Sequence, residues 1–163
     1  METLYFTRMK SPVGPLVIGV SEKGLVVLGF DRGYLGAKFA WVESRERTAR
    51  YVHELKEYFA GKRQTFDFPL DLRGTEFQLR CWKALLNIPY GQTRTYGEIA
   101  REVGCPRGFR AVGTANHDNP IAIVVPCHRV IASNGSLQGY GGGLENKRWL
   151  LDLEGAATPA LAS

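Results

Sequence analysis

Residues 95–116 read TYGEIAREVGCPRGFRAVGTAN, and the folding of this stretch decides the architecture of the second half of the chain. The Thr95 hydroxyl can cap a helix, and Glu98 three residues on completes a reciprocal capping box. Ile99, Ala100 and Val103 supply the apolar residues of a short helix, which Gly104 stops. After Cys105 and Pro106 the spacing predicts a further helix from Gly108 to Asn116, with Phe109, Val112 and Ala115 facing inward. Two short helices joined by a Gly-containing turn form a helix-turn-helix pattern, which a plain helical hairpin matches equally well on geometry. The second helix carries Arg110, Ala111, Gly113, Thr114 and Ala115, mostly small residues around a lone arginine. Small side chains fill a core poorly, but they let a helix lie close against another surface, such as a nucleic-acid groove.

Upstream, Thr75 and Gln78 form another capping box. Phe77, Cys81 and Leu85 follow at spacings of four, with Trp82 and Leu86 alongside, so a helix is expected from about Glu76 to Asn87, with Cys81 as a core residue. Pro89-Tyr90-Gly91 breaks it. The first half reads as strands. Leu16–Val20 and Leu25–Phe30 are β-rich runs joined by Ser21–Gly24, after a turn at Pro12–Pro15. Tyr51, Val52, Leu55, Tyr58 and Phe59 recur at helical spacing from Thr48 to Phe59, and Gly61 follows. Phe66, Phe68 and Leu70 alternate as in a half-buried strand. No catalytic constellation is present in this half, which reads as scaffold.

The 163 residues suffice for one ordinary domain or two small ones. With 44% hydrophobic and 23% charged residues, the composition is that of a globular protein. No apolar run approaches the roughly 18–20 residues that span a bilayer, and the first residues lack a secretory signal pattern, so a cytoplasmic location without membrane attachment is expected. Three cysteines, Cys81, Cys105 and Cys127, argue against a disulfide framework and suit a reducing compartment. The three histidines are scattered, so no metal site is expected. Net charge is +5. Between Arg80 and Arg129 there are seven bases, six of them arginine, against three acids, which suits contact with phosphate.

Asn119-Pro120 leads into Ile121–Val125, a continuous apolar run expected as a buried strand or extended segment. It ends in Pro126-Cys127-His128-Arg129-Val130. A thiolate is the nucleophilic form of cysteine, and adjacent positive charge or a basic imidazole lowers the cost of forming it. Adjacency of Cys and His in sequence is a weak signal when it stands alone.

The pentapeptide at 126–130 resembles the active-site signature of the O6-alkylguanine-DNA alkyltransferases. Ile88-Pro89-Tyr90-Gly91, Tyr96–Ala100, Arg110–Gly113, Asn119-Pro120, Gly139–Leu144 and Leu153-Glu154-Gly155 occur in that family's order and at similar spacing. The match covers about residues 75–155, and the first half resembles the family's smaller domain loosely. The fold implied is α/β (α+β) with two lobes. An N-terminal ribonuclease-H-like antiparallel sheet with helices would occupy residues 1–73. A mostly helical, DNA-binding, alkyl-accepting domain would occupy 74–155, and 156–163 would be a flexible tail.

The resemblance also implies roles. Cys127 would accept an alkyl group from O6-alkylguanine, and by extension O4-alkylthymine, irreversibly and once per molecule. His128 would act as base through a water, oriented by Glu154, in the logic of a catalytic triad. Tyr96 would donate a hydrogen bond to the guanine ring as charge builds there. Val130, Ser133, Tyr140, Gly141 and Asn119 would form or brace the base pocket, with backbone groups of Cys127, Val130 and Gly141 reading the base edge. The nucleotide would be everted, Arg110 filling its place, with Ala111, Gly113, Thr114 and Ala115 close to the minor groove of double-stranded DNA. A monomer without cofactor is expected, cooperative assembly on DNA being left open. The resemblance gives His117, Asp118 and Cys105 no role. The Cys and His ligands with which certain members of the family bind zinc in the first domain are missing. The other readings are a non-catalytic binder of alkylated DNA, which the presence of Cys127 disfavours, a helix-turn-helix regulator, and a cysteine hydrolase.

Overall fold

Strands β2 (Leu16–Val20) and β3 (Leu25–Phe30) pair as an antiparallel hairpin whose turn closes through Ser21 N–H to Gly24 O at 2.9 Å. The computed structural model of the chain describes residues 1–135, 137 and 139–156. The residues expected as a flexible tail lie outside the described ones, apart from Ala156. The chain divides into two compact units, Met1–Arg73 and Gly74–Ser163.

In the first unit, β1 (Thr3–Met9) pairs antiparallel with β2, and a short β4 (Ala40–Glu43) adds parallel to β1, giving the order β3-β2-β1-β4. The antiparallel sheet therefore gains one parallel edge strand. β2 is buried along its whole length, so both faces of its apolar run are covered. Helix α1 (Arg45–Phe59) packs on β1 and β2. It starts three residues earlier than the apolar spacing implied, because Ser44 caps it by accepting from Arg47 N–H at 3.1 Å.

Phe66, Phe68 and Leu70 do not form a strand; only Leu70 bridges to the sheet, opposite Leu25. Pro69 has no N–H for a ladder, and the rings of Phe66 and Phe68 turn toward α1, 5.5 Å from Tyr58 and 4.8 Å from Tyr51. Gly24 permits this approach. A Cβ there would lie 2.5 Å from Pro69 O, and its φ of 151° is one that side chains rarely adopt.

In the second unit, α2 (Glu76–Leu86) and α3 (Tyr96–Glu102) each begin with a complete capping box, Thr75 with Gln78 and Thr95 with Glu98. α4 (Phe109–His117) follows α3 across the turn at 103–108, as a helix-turn-helix requires. Trp82 donates from Nε1 to Ala115 O at 2.9 Å and ties α2 to α4 through the core. Cys81 is fully buried. Two features of α4 differ from expectation. Phe109 is 55% exposed, since the core-facing stripe begins one turn later with Val112 and Ala115. Gly108 is the helix cap because a Cβ there would lie 2.4 Å from Cys105 Sγ, which gives Cys105 a packing role in the turn.

Ile121–Val125 is buried, as its composition implied, but it folds into consecutive turns instead of a strand. Val124 N–H bonds Ala122 O, Val125 N–H bonds Ile121 O, and Ile123 has φ of 73°. That conformation is strained for a β-branched residue. Asn119 helps hold it, accepting from Ile121 N–H at 3.0 Å and donating from Nδ2 to Val125 O at 2.8 Å. A two-stranded parallel ladder, β5 (Arg94–Thr95) with β6 (Val130–Ile131), and α5 (Leu144–Leu153) complete the unit.

Candidate active site

Pro126 redirects the chain out of these turns into a single 3-10 turn, Cys127–Arg129, closed by Arg129 N–H to Pro126 O at 2.9 Å. Cys127 is 8% exposed and lines a cavity of about 610 Å³ with Tyr96, Arg110, Ser133, Tyr140 and Gly141. Burial pushes the thiol up. The Asn119 amide, the Lys147 ammonium and the backbone N–H groups of Cys127 and His128 pull it down, without overcoming burial. The resting group is therefore a thiol, and nucleophilic attack needs a base.

That base is adjacent. His128 is fully buried, and its Nε2 lies 2.9 Å from Glu154 Oε2. Burial would raise the Glu154 carboxyl, but hydrogen bonds from His128 and Arg129 override it and hold the group down to about 2. Burial lowers the imidazole pKa, with Glu154 opposing. At neutral pH the arrangement is a carboxylate beside a neutral ring, so Nε2 carries the proton and Nδ1 the free lone pair. Nδ1 is buried and has no hydrogen-bond partner among the described residues. A lone pair held in this way can take a thiol proton through a water.

Two cations that sequence reasoning missed complete the network. Arg129 grips Glu154 with two bonds, Nε to Oε1 at 2.7 Å and Nη2 to Oε2 at 2.9 Å, and donates from Nη1 to Ile88 O at 2.8 Å. Lys147 is fully buried on α5 and donates from Nζ to Val130 O at 2.6 Å. Burial lowers its pKa to about 8, against the opposing pull of Cys127. A signal for Lys147 exists in the sequence: it stands three and four residues before Leu150 and Leu151, on the same buried stripe of α5. Arg129 is legible in the sequence as a base beside Cys127, but its grip on Glu154 is not.

The remaining expected residues fall into groups. Tyr96 stands at the first position of α3, its phenol pushed up by burial and by Cys127, so it remains a donor. Ser133, Tyr140 and Gly141 line the cavity, as do Arg110 and Gly113 from α4. Ala111 and Thr114 are exposed on the same helix. Ala115 is not: it is 2% exposed and packs into the core beneath Trp82, so it cannot present a contact surface. Val130 is buried, and its carbonyl already accepts from Lys147, leaving one lone pair. Asn119 braces the turns instead of lining the cavity. His117 lines the cavity, and Asp118 caps α4. No cluster of His, Cys, Asp and Glu able to hold a metal occurs among the described residues, and none of their helices is long and apolar enough to cross a membrane.

Comparison with known proteins covers both units. The ribonuclease-like domain of 6-O-methylguanine DNA methyltransferase matches residues 4–72, and the DNA binding domain of that family matches 76–156. A methylated-DNA–protein-cysteine methyltransferase of Methanosarcina acetivorans is 48% identical over 94% of this chain and 99% of its own. One from Mycobacterium leprae is 52% identical over 93% of this chain and 92% of its own. The crystal structure of Mycobacterium tuberculosis O6-methylguanine methyltransferase is similar at a TM-score of 0.87 and 48% identity, over 98% of both chains. That of Mycobacterium tuberculosis OGT in complex with DNA is similar at a TM-score of 0.86 and 50% identity, over 92% of each. With both domain models matched and relatives about half identical over nearly the whole chain, the chain belongs to the methylated-DNA–protein-cysteine methyltransferase family.

Proposed function

We propose that this protein repairs DNA by moving an alkyl group, methyl foremost, from O6 of guanine to Cys127, and is consumed in doing so. The observation that carries the reading is the Glu154–His128 pair, which leaves the imidazole Nδ1 without a partner among the described residues, on the residue that follows the buried Cys127 thiol. His128 takes the Cys127 proton through a water. The sulfur then attacks the alkyl carbon in line, a C–S bond forms, and the carbon–O6 bond breaks with its electron pair going to guanine. Tyr96 donates a hydrogen bond to the guanine ring nitrogen that gains charge, making guanine a better leaving group. Imidazolium formed in the first step is balanced by the carboxylate of Glu154. A thioether is too inert to hydrolyse, so each molecule acts once.

The target oxygen is out of reach inside stacked DNA, so the nucleotide is everted into the cavity. Arg110, exposed on α4 at the cavity mouth, fills the vacated stack. The exposed Ala111 and Thr114, with Gly113, let α4 lie close in the minor groove of the duplex. Ser133, Tyr140, Gly141 and backbone groups near Val130 hold the base, and O4-alkylthymine is a further substrate of the same chemistry. No cofactor takes part. A reducing cytoplasm suits three free thiols, and the protein acts as a monomer.

The test is transfer of label from a duplex containing radiolabelled O6-methylguanine. One equivalent of label should move to protein and then stop. A hydrolase would instead release labelled methanol over many turnovers, and a non-catalytic binder would leave all label on the DNA.

A further inference from the structure

Asn116 is 9% exposed, yet neither its Oδ1 nor its Nδ2 has a hydrogen-bond partner among the described residues. It lies on α4 where the stripe of core residues, Val112 and Ala115, gives way to residues that line the Cys127 cavity. Gly113, one turn earlier, lines the same cavity, and a Cβ built there meets nothing within 4 Å. The amide therefore borders open space bounded by Tyr96 and Cys127.

Buried polar atoms are almost always paired, and each exception calls for an explanation. Leaving an amide dry and unbonded costs stability that an apolar side chain of similar volume would not lose. Such a cost is common where function needs a polar group held ready.

We propose that Asn116 is a specificity-determining residue whose amide hydrogen-bonds the nucleobase entering the cavity. This rests on the reading of that cavity as the alkylguanine pocket. A carboxamide offers a donor and an acceptor side by side in one plane. Its natural partner is the edge of a heteroaromatic base, where ring nitrogens accept and exocyclic amines donate. An alkylpurine entering the cavity satisfies an amide that is otherwise unpaired. A ring lacking those atoms leaves it unpaired, and a site built in that way rejects such analogues strongly.

The test compares Asn116→Leu and Asn116→Ala with the unchanged protein, on O6-benzylguanine as the free base and on duplex DNA containing O6-methylguanine. Both variants should lose about tenfold or more in transfer rate at subsaturating free base. The loss should lie in the concentration giving half-maximal rate more than in the limiting rate. Duplex repair should slow in parallel, and the melting temperature of Asn116→Leu should hold or rise. Unchanged rates on the free base would overturn the proposal, whether or not duplex repair slowed. So would a lowered melting temperature with normal rates, which marks a structural amide. Failure of the unchanged protein to transfer at all would instead overturn the reading of the cavity, and this inference with it.

Discussion

Nε2 of His128 and Oε2 of Glu154 meet at 2.9 Å with both side chains fully shielded from solvent. The contact fixes the imidazole tautomer, and Arg129 holds the carboxylate from its other side. Removing any one of the three leaves charge or a donor buried without its complement, which is far costlier than losing a surface ion pair.

Glu154→Gln should therefore destabilise the protein by about 3–5 kcal/mol, the range for breaking one side of a buried pair. In the unchanged protein the carboxyl is held down to about 2 from its ordinary 4.5. Its stabilising contribution is complete above pH 4.5 and is lost as pH falls toward 2. The imidazole is lowered from 6.5, so it adds a loss that starts below that pH. Urea unfolding from pH 7 to 3 should show stability falling throughout, and Glu154→Gln should flatten the lower part of the curve.

His128→Asn should slow alkyl transfer at pH 7 by about 10²–10⁴-fold, the range for losing a general base. Because burial keeps Cys127 protonated at rest, raising the pH should restore part of the variant's rate as hydroxide replaces the base. Single-turnover transfer across pH 7–10 measures both effects. A variant rate that stayed flat with pH would count against the base role.

Lys147→Met removes a buried ammonium while keeping its length. The Lys147 charge helps to lower the Cys127 thiol, so iodoacetamide labelling of Cys127 should shift to higher pH in the variant. Lys147 itself titrates near 8 in the fold against an ordinary 10.5. Its desolvation cost is carried in full below pH 8 and relieved as pH rises toward 10.5. The variant should be as stable as the parent or more so at pH 7, and should lose the parent's gain in stability across that alkaline window.

Gly108→Ala forces a Cβ to within 2.4 Å of Cys105 Sγ. Overpacking of this kind costs about 1–3 kcal/mol. Combining it with Cys105→Ala should recover part of the loss, a coupling that thermal unfolding of the two singles and the double would reveal.

What the sequence made legible follows from the range of the interactions. Capping boxes at Thr75 and Thr95 are local, and both helices start where those residues put them. The β2–β3 hairpin was equally readable, since its turn lies between two apolar runs. β4 is short and half-exposed, and it pairs in parallel with a distant strand, so nothing local announced it. Ile121–Val125 has the composition of a strand, yet Asn119 and a positive φ at Ile123 curl it into turns. In the site, Cys127 and His128 stand together in sequence, whereas Glu154 came only from resemblance. Arg129, Lys147 and Asn116 depend on contacts that the fold makes, and their residue types read as surface until their burial is known.

The most direct test is intact-mass and peptide analysis after the folded protein has met duplex DNA containing O6-methylguanine. The mass should rise by one methyl group, carried on the peptide bearing Cys127, while guanine in the DNA is restored. An unmodified Cys127 beside intact lesion, or a methyl group on Cys81 or Cys105 instead, would contradict the account.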